Sequence, residues 1–456
     1  MSEGDLRGDE LGRLVTEVPG PESRGLAARL RAVESRNITQ VGNDGPIFWD
    51  EARGAAVRDV DGNTFVDLTA GFGVAFAGHA NPAVTLAIAR QSATLAHALG
   101  DVHPAAAKLR LLERLAELAP GDLGVTILGS AGAEAVEAAL KTASLRTGRR
   151  GVIAFERAYH GLTLGALAVT ARAHFRAPFQ PQLYPGIRFA PFPGCGAGEA
   201  ERERSALEHV ARIMDAAERS DAPIGMVLVE PVQGRGGLVV PTAGFLRGLR
   251  DLCDGERCIL AFDEIYCGLG RTGRWFACQH WDVVPDILLL GKALTGALPL
   301  SAMIGTPDVM DAWPPSDGEA IHTSTFLGNP ISCAAALAQL DAIEKGDLVR
   351  RADALGEVVA ERTDRLRRIR SGVRGTGLGL LRGIRVRRED ESDASMLGAA
   401  GSLLRRGVLA LAEGEHAEVL ALTPSAVITD VQLAFALHAI EAVVGGDAVE
   451  PAPLSG

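Results

Sequence analysis

Leu288-Leu289-Leu290-Gly291-Lys292-Ala293-Leu294 ends an apolar, strand-like run on a lysine. Lysine is scarce in this chain: Lys108, Lys141, Lys292 and Lys345 are its only four, while arginine is abundant. An amine placed at the end of an apolar run loses hydration. Desolvation disfavours the ammonium, so the pKa falls and the neutral nucleophile becomes available. Upstream, Cys258-Ile259-Leu260-Ala261-Phe262-Asp263-Glu264-Ile265 ends a second apolar run on two acids. Further runs of this kind are Val125 to Leu128, Gly151 to Phe155 and Gly225 to Val229. Short apolar and β-branched runs separated by helical stretches predict an α/β fold, with a mostly parallel sheet covered on both faces.

Outward from these strands the chain divides as follows. Residues 1–20 are polar and acidic and read as a mobile tail, or an arm on a partner, closed by Pro19-Gly20-Pro21. Residues 21–80 read as the N-terminal part of a small domain. It holds a helical pattern from Ser23 to Ser35 and short strands near Ile47 to Trp49 and Ala56 to Leu68, the latter folded at an Asp-Gly-Asn turn. Residues 81–335 carry the alternating strands and helices of the large domain. Residues 336–445 form the C-terminal small domain, opening on a long helix broken near Lys345-Gly346-Asp347, and residues 446–456 read as a frayed tail.

The formal net charge is −11 and the charges form no long basic block, which argues against nucleic acid or an anionic membrane as partner. Residues 1–20 contain no apolar signal-peptide core, and no stretch approaches a membrane span. The six cysteines lack CxxC spacing, so free thiols in a reducing cytoplasm are expected and a metal site is not.

Five segments carry candidate chemistry. In Leu128-Gly129-Ser130-Ala131-Gly132-Ala133-Glu134 a strand ends, a small-residue turn follows and a helix begins. Free N–H groups there suit a phosphate, although an ordinary strand-to-helix turn reads the same way. Phe155 to Thr163 places Tyr159, His160 and Gly161 just past a strand, where an aromatic could stack on a flat heterocycle or simply pack. Val229-Glu230-Pro231-Val232-Gln233-Gly234-Arg235-Gly236-Gly237 sets a carboxylate at a strand end against a Gly-rich loop, where open α/β sheets bind ligands. The same Glu230 and Arg235 could equally be a surface ion pair. The Asp263-Glu264 pair is costly unless partnered. In His322-Thr323-Ser324-Thr325-Phe326-Leu327-Gly328-Asn329-Pro330 the hydroxyls could hold a phosphate or cap a loop. An amine able to form a Schiff base, with a carboxylate able to hold a pyridinium, is what pyridoxal phosphate requires.

In order and spacing these segments resemble the class III (4-aminobutyrate/ornithine-type) aminotransferases of the fold-type I pyridoxal-phosphate enzymes, over residues 20–445. The opening Pro19-Gly20-Pro21-Glu22-Ser23 looks like the branch holding archaeal-type 4-aminobutyrate aminotransferases and related racemases. The resemblance implies a mostly parallel seven-stranded sheet in the large domain and a smaller α+β domain built from both termini. It makes Lys292 the Schiff-base lysine and proton shuttle, and Asp263 the partner of the pyridinium nitrogen. Tyr159 stacks on one ring face and Ile265 packs on the other. Ser130, Gly132 and Ala133 form the phosphate turn, and His160, Glu230 and Tyr266 complete the cofactor set. Thr325 reaches the phosphate of the neighbouring subunit, which implies a homodimer with sites at the interface.

Three departures bear on substrate. Leu162 and Ala421 stand where the 4-aminobutyrate and ornithine enzymes carry the arginines that grip carboxylates, and Tyr266 replaces a glutamine that contacts the cofactor hydroxyl. A buried carboxylate without a partner is costly, so exchange between 4-aminobutyrate and 2-oxoglutarate is expected to be weak. Arg235 is a candidate replacement anchor, and Phe48, Trp49 and Phe72 candidate pocket walls. The expected activity is ping-pong amino transfer between an amine or amino acid and a keto acid or aldehyde. The alternative is a racemase or epimerase using Lys292 with Tyr159, His160 or Tyr266 on the opposite face. A non-catalytic homologue is the third reading, and retention of Lys292 and Asp263 argues against it.

Overall fold

The computed structural model describes residues 5–39, 46–196, 198–388 and 392–446. The chain forms two compact units, one of Pro82–Gly356 with Thr376–Leu381 and one of Met1–Asn81, Glu357–Gly375 and Arg382–Gly456.

The larger unit is built on a seven-stranded sheet. Its order is Val125–Gly129, Ser301–Gly305, Ile287–Leu290, Ile259–Asp263, Ile224–Val229, Gly151–Phe155 and Ile187–Ala190. Ser301–Gly305 runs antiparallel to both its neighbours, and the remaining pairs are parallel. Ile224–Val229 and Ile259–Asp263 are buried along their whole length, which is why they read as unbroken apolar runs. The pleat sends alternate residues to opposite faces. Ala154, Met226, Leu228, Ala261 and Leu289 pack with Ala135, Val136 and Ala139 of helix Gly132–Thr147. From the other set, Phe155 meets Phe245 edge-on at 5.5 Å.

Helix Pro330–Lys345, expected to open the C-terminal domain, packs instead on Pro82–Thr94 and Ala106–Leu118 within this unit, burying Ala335, Leu340 and Ile343. It stops before Leu348–Ile369, with Asp347 at φ 50° between the two.

The other unit holds two four-stranded sheets. One orders Trp49–Arg53, Ala56–Asp59, Thr64–Asp67 and Val408–Leu409, and the other Val373–Leu378, Leu381–Val386, Val419–Leu422 and Leu411–Glu413. The expected tail does not hang free from residue 5 on. Leu6 is buried, Arg13 bridges Thr64, and the N–H groups of Val15 and Thr16 donate to Asn63 Oδ1. Backbone hydrogen bonds to Thr64, the side chains of Asn63 and Gln432, and buried Leu6 together dock a segment whose composition is polar. The expected fray at the C-terminus falls on residues 447–456, outside the described residues.

Candidate active site

Register and pleat place two acids side by side. Val229 pairs with Phe262 in parallel register, so Glu230 and Asp263 leave neighbouring strands together. Both continue the alternation of Leu228 and Ala261, which faces the helix beginning at Gly132.

Asp263 is buried and its oxygens have separate donors. Oδ1 accepts from the Ile265 N–H at 3.0 Å, and Oδ2 lies 2.7 Å from Nδ1 of buried His160. A carboxylate facing Nδ1 fixes the proton on that nitrogen. The His160 N–H is held by Thr170 Oγ1 at 2.9 Å, which makes Thr170 a supporting residue that no sequence signal revealed.

Glu230 is tied by backbone donors. Its Oε2 accepts from the Tyr159 N–H and its Oε1 from the Gly234 N–H, each at 3.1 Å. Burial raises its carboxyl to about 7, with the neighbouring Asp263 adding to the rise while His160 and the two N–H bonds oppose it. Glu264, the other half of the acidic pair, serves structure. Its oxygens accept from the Ala277 and Cys278 N–H groups at 2.6 and 2.8 Å, and burial raises it to about 7 as well.

Lys292 follows strand Ile287–Leu290 at φ 41°, a left-handed backbone rarely taken by side-chain-bearing residues. Burial pushes its ammonium below the usual lysine range, with Arg235 adding to the fall while Asp263 and Glu230 oppose it. Nζ lies 4.4 Å from the centre of the Tyr266 ring.

Helix Gly132–Thr147 begins without a side-chain cap at Ala131; the Glu134 N–H donates to the Ala131 carbonyl at 2.9 Å, and the Gly132 and Ala133 N–H groups at the helix start suit an anion. A Cβ on Gly132 would lie 3.0 Å from Ile265 Cδ1, and one on Gly291 3.1 Å from Ile265 Cγ2, so Ile265 fits between two glycines. The Ser130 N–H is taken by Glu134 Oε2 at 2.8 Å.

These groups line one cavity of about 300 Å³, which includes Gly132, Ala133, Tyr159, Asp263, Ile265 and Lys292. Its wall also holds His160, Gly161, Leu162, Glu230, Tyr266 and Arg235. Gly161, at φ 121° and with Ala133 Cβ only 2.8 Å from where its own Cβ would stand, is a wall residue to which the sequence assigned no role. Its clue was a glycine directly after the histidine. Ser130 is not part of the wall, and Thr325 is exposed on the loop before helix Pro330–Lys345. Ala421 lies buried in strand Val419–Leu422 of the other unit, to which Phe48, Trp49 and Phe72 also belong.

The family model for Aminotransferase class-III matches residues 38–444. The chain belongs to the class-III aminotransferases. Ornithine aminotransferase from Toxoplasma gondii ME49 is 30% identical over 91% of this chain and 93% of its own, with a TM-score of 0.79. An (S)-enantioselective omega-transaminase from Thermomicrobium roseum is 26% identical over 92% and 98%, with a TM-score of 0.84. An amine transaminase from an uncultivated Pseudomonas species, solved with its cofactor bound, is 26% identical over 90% and 98%, with a TM-score of 0.82.

This class-III aminotransferase is a pyridoxal-phosphate-dependent enzyme, and its residues fit that group. An uncapped helix start suits the phosphate, a buried and doubly held carboxylate suits a pyridinium, and a desolvated amine suits a carbonyl. A Cβ at Gly132 would crowd Ile265, the side chain expected to pack on the ring.

Proposed function

We propose that Lys292 is the amine that carries the cofactor and that the enzyme moves amino groups by a ping-pong cycle. The donor is an amine or amino acid and the acceptor a keto acid or aldehyde. The observation that carries this reading is the convergence of Lys292 and the His160–Asp263 pair on one cavity. When bound, pyridoxal phosphate supplies the electron sink that makes a substrate Cα–H acidic.

The chain's own groups do the rest. Lys292 Nζ would carry the proton between the substrate Cα and the C4′ carbon of the cofactor, a role suited to an amine whose pKa lies below the usual range. Asp263 keeps a negative charge where the ring nitrogen must stay protonated, and His160 orients that carboxylate. Tyr159 and Ile265 would cover the two ring faces, and the N–H groups of Gly132 and Ala133 would hold the phosphate. Tyr266 and Glu230 complete the cofactor pocket. No observation favours the isomerase alternative.

The proposal extends to a homodimer in which Thr325 serves the partner's phosphate. Leu99, Val102, Ile321 and Phe326 are exposed, and their two segments are joined by Thr323 Oγ1 donating to Asp101 Oδ2 at 2.7 Å and by the His97–Phe326 ring contact. An apolar ridge of this kind beside Thr325 suits a subunit interface. Cytoplasmic residence is supported by six cysteines that are all free thiols. Among the described residues no helix is long and apolar enough to cross a membrane.

Borohydride reduction of the holoenzyme followed by peptide mapping tests the central assignment. The cofactor is expected on Lys292. Its recovery on Lys141 or any other lysine, or a reducible chromophore surviving in Lys292→Ala, overturns the proposal.

A further inference from the structure

We propose that Arg235 is the carboxylate-binding residue of this site and that it selects substrates with a single carboxylate. This rests on the Lys292 reading and adds the substrate class to it.

Arg235 is presented by a loop that closes on itself. Gln233 and Val239 exchange both backbone hydrogen bonds at 3.0 Å, and inside them Gly237 and Leu238 donate to the Gly234 carbonyl at 3.1 and 3.0 Å. Both flanks are packed. A Cβ on Gly234 would lie 2.2 Å from Tyr266 Cδ1, and one on Gly236 would lie 2.8 Å from the Arg157 carbonyl oxygen. The Gly234 N–H is further anchored to Glu230. A side chain carried on so constrained a backbone is placed in advance of its ligand.

The guanidinium carbon lies 4.5 Å from the centre of the Tyr159 ring and 5.8 Å from that of Phe175. An arginine held over an aromatic face keeps a planar fork of N–H donors that matches a carboxylate through two parallel hydrogen bonds. Arg235 shares the cavity with Lys292, close enough for its charge to disfavour the ammonium there. The two acids of the wall are already engaged, Glu230 by two N–H donors and Asp263 by His160 and Ile265. Leu162, in the same wall, brings no charge. A substrate carboxylate entering this cavity therefore finds its cation in Arg235. It is the one arginine of the wall among the described residues, which suits a monocarboxylate better than a dicarboxylate.

The test compares holoenzyme with Arg235→Ala and Arg235→Lys. Acceptors are pyruvate, 2-oxoglutarate and uncharged butanal, and propionate, which cannot accept an amino group, is titrated by calorimetry. Wild type should use pyruvate better than 2-oxoglutarate. Arg235→Ala should lower kcat/KM for pyruvate relative to butanal by about 30- to 100-fold and weaken propionate binding by a similar factor, as expected for loss of a charge-assisted bidentate pair. Arg235→Lys keeps the charge but loses the flat fork, and should recover no more than about a tenth of the loss. Propionate binding unchanged in Arg235→Ala, full recovery in Arg235→Lys, or a wild-type preference for 2-oxoglutarate overturns the proposal. Failure of the underlying reading has a separate signature, the absence of borohydride-fixed cofactor on Lys292 in wild type.

Discussion

Nδ1 of His160 donates to Oδ2 of Asp263 across 2.7 Å, joining residues 103 apart in sequence inside a site where both side chains are buried. The pair turns a strand-end acid into an oriented one. His160→Ala leaves that carboxylate short of a donor, a loss of about 1–3 kcal/mol. The variant should melt earlier and release pyridoxal phosphate more readily. Thermal melts and a cofactor titration of the apoenzyme measure both, and wild-type values in each would show that the pair is idle.

Glu264 makes stability depend on pH. Its carboxyl stands at about 7 in the folded chain against an ordinary value of 4.5, so the proton it binds favours folding. That contribution is complete below about pH 4.5 and is lost as pH rises through about 7, amounting to roughly 3 kcal/mol by linkage. Glu264→Gln cannot titrate and also mismatches one of the two N–H donors. Whatever its constant offset, its melting temperature relative to wild type should climb as pH goes from 5 to 8. Calorimetric scans across that range giving a flat difference would refute the assignment.

Gly234 has no room for a side chain. Gly234→Ala forces either the Tyr266 ring or the Arg235 loop to shift, at about 1–3 kcal/mol for overpacking. Lower thermal stability together with a raised KM for oxo acids is the expected outcome. Both values unchanged would mean that the loop yields without consequence.

The exposed ridge predicts assembly. Phe326→Glu or Leu99→Glu places a charge where an apolar contact with a second copy is proposed, and each should shift the protein toward monomer in sedimentation and lower activity with it. A wild-type enzyme that sediments as an active monomer would remove the interface and the role of Thr325 together.

Sequence reading reached the strands because a buried parallel strand is a short apolar run, as Ile224–Val229 and Ile259–Asp263 illustrate. It reached Lys292 because an amine ending such a run is anomalous. Pairings across distant segments were beyond it. Nothing in the order of residues announces that Glu230 ties the backbone of Tyr159 to that of Gly234, or that Thr170 steadies His160. Composition misled at the N-terminus, where the polar segment docks largely through hydrogen bonds to Asn63, Thr64 and Gln432. The Ser130 N–H serves as donor to Glu134, and one-dimensional spacing cannot register such a bond.

The loop closed between Gln233 and Val239 completes its own backbone hydrogen bonds and holds its place through glycines rather than through its tip. What stands at position 235 can therefore be exchanged without rebuilding the backbone that carries it. Such a layout separates the part of the wall that meets the substrate from the backbone that carries it, and it makes this one position a natural starting point for redirecting the catalyst toward new substrates.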